Sequence, residues 1–185
     1  MVKFIRYSED IEEAEYIFEL EVFFMATATN EQLVFEFRSL IPYIQSLNTL
    51  EEMHWETPVA AGKWTLKEML CHLTQWDKYF YEEAFAKIMK GQPLTLRQQN
   101  FDEFNARAIE YAKSLTKQAA IGQFVLYRTK ILDAATALSD EELVKEYIDG
   151  DGQKFSIRGY LEDFIPHDKH HKQQMEQYIR PGATS

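Results

Sequence analysis

The clearest pattern in the chain is a set of long stretches in which apolar residues recur every three or four positions, the spacing of an amphipathic helix. Residues 30–48 form the first stretch, and Pro42 inside it predicts a kink. The second stretch is better marked at both ends. Thr65 and Glu68 make a T-x-x-E capping box at its start, and Gly91 ends it.

Three further helices are predicted downstream, at residues 101–114, 117–138 and 156–179. Before the last of them, the sequence D-G-D-G at residues 149–152 separates two short β-prone runs and predicts a small hairpin or a tight loop. Long helices joined by short or moderate loops are typical of antiparallel bundles. We therefore predict an all-α fold, an antiparallel four-helix bundle over residues 29–181.

Residues 1–28 precede the bundle pattern and are predicted to form an N-terminal extension. The extension is acidic and then aromatic, and both a helix over residues 9–27 and a strand around residues 22–25 fit its sequence. Residues 16–25 carry more apolar side chains than a surface helix needs, and exposed apolar patches mark interfaces. This excess predicts a homodimer.

Composition narrows the class of protein. The chain has 185 residues with 45% hydrophobic and 14% aromatic side chains, enough for one domain with a sizeable core. A net charge of −10 without a basic run provides no attraction to nucleic acid or to an anionic membrane, and no apolar run is long enough for a membrane helix. The single cysteine, Cys71, excludes an intrachain disulfide and favours a cytoplasmic location.

Three of the five histidines fall within five consecutive positions, in the stretch IPHDKHHKQQM at residues 165–175. His167 and His171 are four residues apart, so they stack on one face of the last predicted helix. His170 lies roughly a hundred degrees further around that helix and points aside. The stretch therefore predicts two inward-facing metal ligands and one bystander.

A third ligand is expected from another helix, and the candidates are His54 and His72. His54 lies at a helix end or in a loop, whereas His72 lies between Met69 and Trp76 on the second apolar stretch and reaches the bundle interior. We therefore select His72. Taken singly, a histidine on an apolar face is more often a satisfied core residue. Three neutral imidazoles together suit Zn, Ni, Fe or Cu and leave a coordination position open, as in catalytic sites.

At these residues the chain resembles the DinB-like superfamily, which includes metal-dependent hydrolases and bacillithiol S-transferases. The segment GKWTLKEMLCHLTQWD resembles the family segment gW-S/T-x-x-E-x-x-x-H-L, and HDKHHKQQM resembles its C-terminal H-x-x-x-H-x-x-Q. The resemblance extends over roughly residues 30–180. It implies a four-helix bundle of DinB type in which Zn or Ni is held by His72, His167 and His171.

One departure from the family pattern is Pro166, directly before His167. A proline removes a backbone N–H and disfavours helical geometry at the residue before it, so the last helix is expected to kink or to restart there. Either outcome would shift His167.

Several polar residues near the histidines have more than one interpretation. Asp77 and Asp168 are expected to be solvated charges on helix surfaces, with orientation of a ligand as the alternative. Gln174 is a candidate partner for water on the metal, although other roles fit it better. Asn105 and Arg128 are expected to pair across helices as a structural hydrogen bond.

Two classes of function fit these observations. The first is a metal-dependent enzyme acting on small molecules, with a thiol S-transferase favoured over a hydrolase because the sequence offers no obvious dedicated general base. Its partners would be a small thiol and an electrophile, or a hydrolysable substrate. The second is a non-catalytic, stress-related helical binding protein. Stoichiometric metal in the purified protein separates the two classes.

Overall fold

The computed structural model describes residues 27–180, and most of this part of the chain is helical. The predicted four-helix bundle is confirmed, with additional short elements between the long helices. The helices and strands are α1 Asn30–Arg38, α2 Leu40–Ser46, α3 Glu52–Glu56, α4 Leu66–Phe80, α5 Ala86–Met89, α6 Phe101–Lys113, α7 Lys117–Thr136, α8 Asp140–Val144, β1 Tyr147–Ile148, β2 Lys154–Phe155 and α9 Ile157–Ile179.

The first bundle helix is broken into α1 and α2, and the break lies before the proline rather than at it. Ser39 separates the two segments, whereas Pro42 is the third residue of α2. A proline cannot donate to the carbonyl four residues earlier, which here belongs to Arg38, the last residue of α1. The interruption of the helix therefore lies one turn before Pro42.

The second bundle helix begins where the sequence predicts. Thr65 accepts a hydrogen bond from the backbone N–H of Glu68, and the Glu68 carboxylate accepts one from the backbone N–H of Thr65. After α4 the chain passes through a π-helical turn at Tyr81–Phe85 into α5, and Gly91 follows with φ of 62°. The capping box thus fixes the rotational phase of α4 and of the side chains that it directs inward.

The four bundle helices are the broken helix of α1 and α2, then α4, α7 and α9, and they surround one interior. The α1 helix packs against α7 and α9, and α4 packs closely against α7 and makes a smaller contact with α9. The α6 helix packs on the outside of α4. Residues 145–156 form the predicted hairpin, in which β1 and β2 pair antiparallel with Tyr147 opposite Phe155.

The buried apolar residues form two clusters, and every bundle helix contributes to both. One cluster contains Leu33, Phe37, Trp76, Phe80, Ile131, Leu132, Tyr160 and Phe164. The other contains Leu40, Ile44, Leu66, Leu70, Ile121, Phe124, Met175 and Tyr178. Where each of α4, α7 and α9 passes from one cluster to the other, it carries buried polar side chains. These residues, which we call the polar layer, are His72, Asp77, Arg128, His167, Asp168 and His171.

Two predictions concern parts of the chain that the structure does not describe. The helix or strand within residues 1–28 falls almost entirely on residues 1–26, outside the described range, and the homodimer that rests on residues 16–25 stays a prediction. Among residues 27–180, no helix combines the length and apolar character needed to cross a membrane.

Candidate metal centre

Three imidazoles meet in the polar layer. His72 comes from α4, and His167 and His171 come from successive turns of α9. One ring nitrogen from each lies within 4.8 Å of the other two. The ring centroids are 5.1 Å apart for His72 and His167, 4.9 Å for His72 and His171, and 4.7 Å for His167 and His171. We call these three residues the histidine centre.

The helix α9 runs unbroken through Pro166, so the expected restart of the helix beside His167 does not occur. Ser156 caps the start of the helix, and its hydroxyl accepts a hydrogen bond from the backbone N–H of Gly159. On both sides of the proline, buried side chains at Phe164, Ile165 and His167 hold the helix against the core. This packing outweighs the one backbone hydrogen bond that a proline forfeits.

The remaining two histidines lie outside the centre. The ring of His170 is 5.5 Å from that of His171, but His170 is not among the residues whose ligand atoms converge. His54 packs edge-on against Tyr178, with centroids 6.3 Å apart. The structure therefore brings together the three histidines selected from the sequence. Their ligation of a metal remains a prediction.

Two of the three imidazoles are oriented by amide side chains. His72 Nδ1 lies 2.9 Å from Asn105 Oδ1, and His171 Nδ1 lies 3.0 Å from Gln174 Oε1. An amide oxygen only accepts, so each Nδ1 carries the proton and each Nε2 presents a lone pair. This is the tautomer that a metal requires at Nε2. The Nε2 atoms of His72 and His167 are 3.0 Å apart.

In these contacts, Asn105 and Gln174 have partners other than those expected from the sequence. Asn105 bonds to His72 rather than pairing with Arg128, and Gln174 bonds to a histidine of its own helix. The Gln174 contact follows from the i, i+3 spacing within α9. The Asn105 contact depends on how α6 packs against α4, which no local pattern specifies.

Aromatic rings surround the histidine centre. The partly exposed Trp64 stacks on His171 with ring planes 15° apart and centroids separated by 6.2 Å, and its centroid is 5.0 Å from that of His72. Phe164 contacts His167 edge-on, with centroids 5.5 Å apart. This surrounding desolvates the imidazoles.

Desolvation keeps the imidazoles of His72 and His171 neutral. Burial, reinforced by the nearby His167, lowers the pKa of His72 from 6.5 to about 3. Burial and the neighbouring histidines lower the pKa of His171 well below its usual value. Neutral imidazole is the form that binds metal, so both residues are ready to bind one at neutral pH.

Next to the histidines, Arg128 forms a buried ionic cluster that the sequence did not reveal. Arg128 Nε and Nη2 donate to the two oxygens of Asp77 at 2.8 and 3.2 Å, and Nη1 donates to Asp168 Oδ2 at 2.5 Å. Nη1 also donates to the Phe37 carbonyl at 3.3 Å, and the Tyr160 hydroxyl donates to Asp77 at 3.1 Å. We call Arg128, Asp77 and Asp168 the arginine centre.

The expectation that Asp77 and Asp168 are solvated charges is wrong, because both are buried against Arg128. Burial acts to raise the pKa of both carboxyls, and Arg128 opposes it. The pKa of Asp77 rises to about 6, whereas Arg128 and His167 hold that of Asp168 below its usual value. Because the three charged residues lie on separate helices, no local sequence pattern indicated that they pair.

The fold is shared with known proteins. A family model for the DinB superfamily matches residues 32–175, which is more than half of the chain. The chain therefore belongs to the DinB superfamily, as the sequence resemblance predicts. No curated protein gave a significant match.

Two solved structures share the architecture. One is an uncharacterised protein from Clostridium difficile 630, with a TM-score of 0.68 and 14% identity, covering 83% of this chain and 97% of that one. The other is YfiT from Bacillus subtilis, described as a probable metal-dependent hydrolase with an unusual four-helix bundle topology. Its TM-score is 0.59 at 14% identity, covering 95% of this chain and 92% of YfiT.

The residues present fit a transition-metal ion. Three neutral nitrogen donors converge from two helices, and two of them have their outer nitrogen fixed by an amide oxygen. Such a donor set suits Zn²⁺, Ni²⁺, Cu²⁺ or Fe²⁺ and does not by itself select among them.

Proposed function

We propose that the chain is a metal-dependent enzyme that activates a small nucleophile, and that transfer of a small-molecule thiol to an electrophile is its reaction. The observation that supports this most is the composition of the ligand set. Within residues 27–180, the converging ligand atoms belong to three neutral imidazoles, and no carboxylate joins them. The ligands therefore leave the positive charge of a divalent ion uncompensated, and an anionic thiolate is well suited to that charge.

A divalent transition metal at this place would lower the pKa of a thiol or a water molecule that reaches it. The protein side chains supply the remaining functions. His72, His167 and His171 hold the ion, and Asn105 and Gln174 keep two of the rings in the required orientation. Trp64 covers one side of the centre with an apolar ring, which limits the access of water and offers a surface to an apolar electrophile.

A metal-dependent hydrolase is the second candidate, and the similarity to YfiT supports it. YfiT is described as a probable metal-dependent hydrolase, and its fold matches over most of both chains. A hydrolase would use water where the transferase uses a thiol, so the two candidates share the ligand set and differ in the nucleophile. A non-catalytic, stress-related binding protein is the third possibility, and it requires no bound metal.

The test compares conjugation of a chromogenic electrophile with a panel of small thiols. Metal-loaded protein, metal-free protein and metal-treated His167→Ala protein are assayed, with His170→Ala as the matched control on the same helix. We expect conjugation only from the metal-loaded protein and from His170→Ala. The advantage over the uncatalysed reaction should grow as pH falls from about 8 to about 6.5, because free thiolate becomes scarce below a thiol pKa of about 8.5.

Equal rates for the loaded, metal-free and His167→Ala proteins would contradict the transferase for the thiols tested. Hydrolysis of activated esters or amides by the loaded protein alone would then put the hydrolase first. Purified untagged protein without stoichiometric metal, and with unchanged stability after chelation, would favour the binding protein.

A further inference from the structure

His167 differs from the other two histidines in the partner of its outer nitrogen. The Nδ1 atoms of His72 and His171 each have an amide oxygen within hydrogen-bonding distance. The Nδ1 atom of His167 is buried and has no hydrogen-bond partner among the described residues. It lies 3.7 Å from Asp168 Oδ1, which is also buried and also lacks a partner. Two unsatisfied polar atoms thus face each other across a gap slightly too long for a hydrogen bond.

The positions of the protons explain this gap. Because His72 carries its proton on Nδ1, toward Asn105, its Nε2 can only accept. The Nε2 atom of His167, 3.0 Å away, must then donate to it. A neutral His167 with a proton on Nε2 has a bare lone pair on Nδ1. That lone pair and the carboxylate oxygen of Asp168 are both acceptors, so they do not approach each other.

We propose that Asp168 is a positioning residue, which accepts a hydrogen bond from His167 Nδ1 when a metal ion occupies Nε2. The proton of the neutral ring then leaves Nε2 and resides on Nδ1, so the ring changes tautomer without gaining or losing a proton. The gap of 3.7 Å closes to a hydrogen bond in the metal-loaded protein. This inference rests on the metal centre of the proposed function.

The arginine centre holds Asp168 in place for this role. Asp168 Oδ2 accepts from Arg128 Nη1 at 2.5 Å, which leaves Oδ1 as the oxygen that faces His167. Arg128 is in turn bonded to Asp77 on α4 and to the Phe37 carbonyl on α1. The carboxylate that would accept the hydrogen bond from His167 is therefore fixed by contacts that reach all four bundle helices.

The substitution Asp168→Asn tests the inference because an amide reverses the polarity at one atom. Arg128 needs an acceptor, so it would keep the amide oxygen and turn the amide N–H₂ toward His167 Nδ1. A donor at that position stabilises the tautomer with the proton on Nε2, which cannot bind metal. A carboxylate-to-amide change beside a histidine is known to impose the wrong tautomer in this way in the serine proteases.

Asp77→Asn is the matched control. Asp77 is also buried and accepts two hydrogen bonds from Arg128, but its side chain contacts Tyr160 rather than a histidine. Zinc affinity is measured by competition with a chromogenic chelator, and stability by urea unfolding of the metal-free proteins. We expect Asp168→Asn to weaken zinc binding by roughly 10–100-fold and Asp77→Asn to change it by less than about threefold, although both disturb the arginine centre.

A second measurement needs no substitution, so it decides the matter even if a variant fails to fold. Protein with ¹⁵N-labelled histidine reports by NMR which nitrogen of each neutral ring carries the proton. We expect His167 to show the Nε2–H form without metal and the Nδ1–H form with zinc. Zinc-loaded protein in which His167 Nδ1 is unprotonated would overturn the inference.

The outcomes separate this inference from the metal centre itself. Wild-type protein that takes up none of Zn²⁺, Ni²⁺, Cu²⁺ and Fe²⁺ overturns both. Wild-type protein that binds zinc, with equal affinities for Asp168→Asn and Asp77→Asn, overturns the role of Asp168 alone and leaves the metal centre intact.

Discussion

The arginine centre and the histidine centre are neighbours in one polar layer, but their polar atoms are satisfied in different ways. Three nitrogens of Arg128 donate to carboxylate oxygens of Asp77 and Asp168, and Nη1 also reaches a backbone carbonyl. In the histidine centre, the inward nitrogens face one another and no carboxylate joins them within residues 27–180. The first centre contains both the cation and its carboxylate partners, whereas the second gathers donor atoms that have no counter-charge.

This difference indicates how the two centres contribute. A buried charge is tolerated when its partners and hydrogen bonds are complete, and removing one partner exposes the full cost of burying the other. Neutral imidazoles can be buried without a counter-ion. A group of them is therefore compatible with folding even when no charged partner lies beside it. We infer that the arginine centre supports the fold and that the histidine centre is kept for a ligand.

The largest expected effect is that of Arg128→Met on stability. The substitution leaves Asp77 and Asp168 buried without a cation and should lower the free energy of unfolding by about 3–5 kcal/mol. Arg128→Lys keeps the charge but loses the fork of donors, and it should lower that free energy by less. Urea unfolding of the metal-free proteins measures both. A loss below about 1 kcal/mol for Arg128→Met would contradict the inference that the arginine centre supports the fold.

The next effect concerns the histidine centre, where metal binding should respond and stability should not. His72→Ala, His167→Ala and His171→Ala should each weaken zinc binding by about 100-fold or more, since ligands matter more than the residues that orient them. His170→Ala should bind zinc like wild type. Equilibrium dialysis with elemental analysis measures the bound metal. If His170→Ala empties the site while His167→Ala leaves it full, the assumed face of α9 is wrong.

A third effect is the response of the metal-free protein to acid. The folded-state pKa of His72 is about 3, below the unfolded value of 6.5, so the unfolded chain binds the extra proton as pH falls from 6.5 toward 3. The contribution of His72 should therefore decrease stability by about 2 kcal/mol between neutrality and about pH 5.

His72→Asn isolates this contribution, because the difference between wild type and variant removes the effects of other groups. Asp77 is such a group, since its raised pKa makes stability increase as pH falls through about 6. Urea unfolding at about pH 7.5 and about pH 5 should show a smaller acid loss in the variant. Parallel pH dependences for the two proteins would show that His72 is not buried as described.

Much of the fold and part of the site were predictable from local patterns. The Thr65 and Glu68 capping box fixed the start of α4, and the spacing of His167 and His171 placed both on one face of α9. These features depend on residues within one or two turns of each other, where the helical repeat determines the geometry.

The arginine centre was not predictable, because its members come from different helices. Asp77 and Asp168 look like ordinary surface charges in sequence, and Arg128 is expected to pair with Asn105. Only the packing of α4, α7 and α9 brings the three residues together. The π-helical turn at Tyr81–Phe85 is likewise invisible in a pattern that reads as one continuous helix. Local periodicity specifies which face is buried but not which partner a buried polar group meets.

The smallest expected effect is that of Pro166→Ala. The helix α9 is continuous through this position, so restoring a backbone N–H should raise the free energy of unfolding by about 1 kcal/mol, less than the full helix penalty of proline. Zinc affinity should stay within about threefold of wild type. Calorimetric titration and urea unfolding give the two values. A loss of affinity above about tenfold would show that Pro166 shapes the position of His167.

Trp64 has a consequence for how occupancy of the site can be observed. Its indole lies over His72 and His171, at centroid distances of 5.0 and 6.2 Å, whereas Trp55 is fully buried with its N–H bonded to the Leu47 carbonyl. When excited by ultraviolet light, Trp64 fluoresces beside the three imidazoles. An open-shell ion such as Ni²⁺ or Cu²⁺ bound there would quench this fluorescence. The intrinsic fluorescence of the chain therefore reports whether such an open-shell ion occupies the histidines.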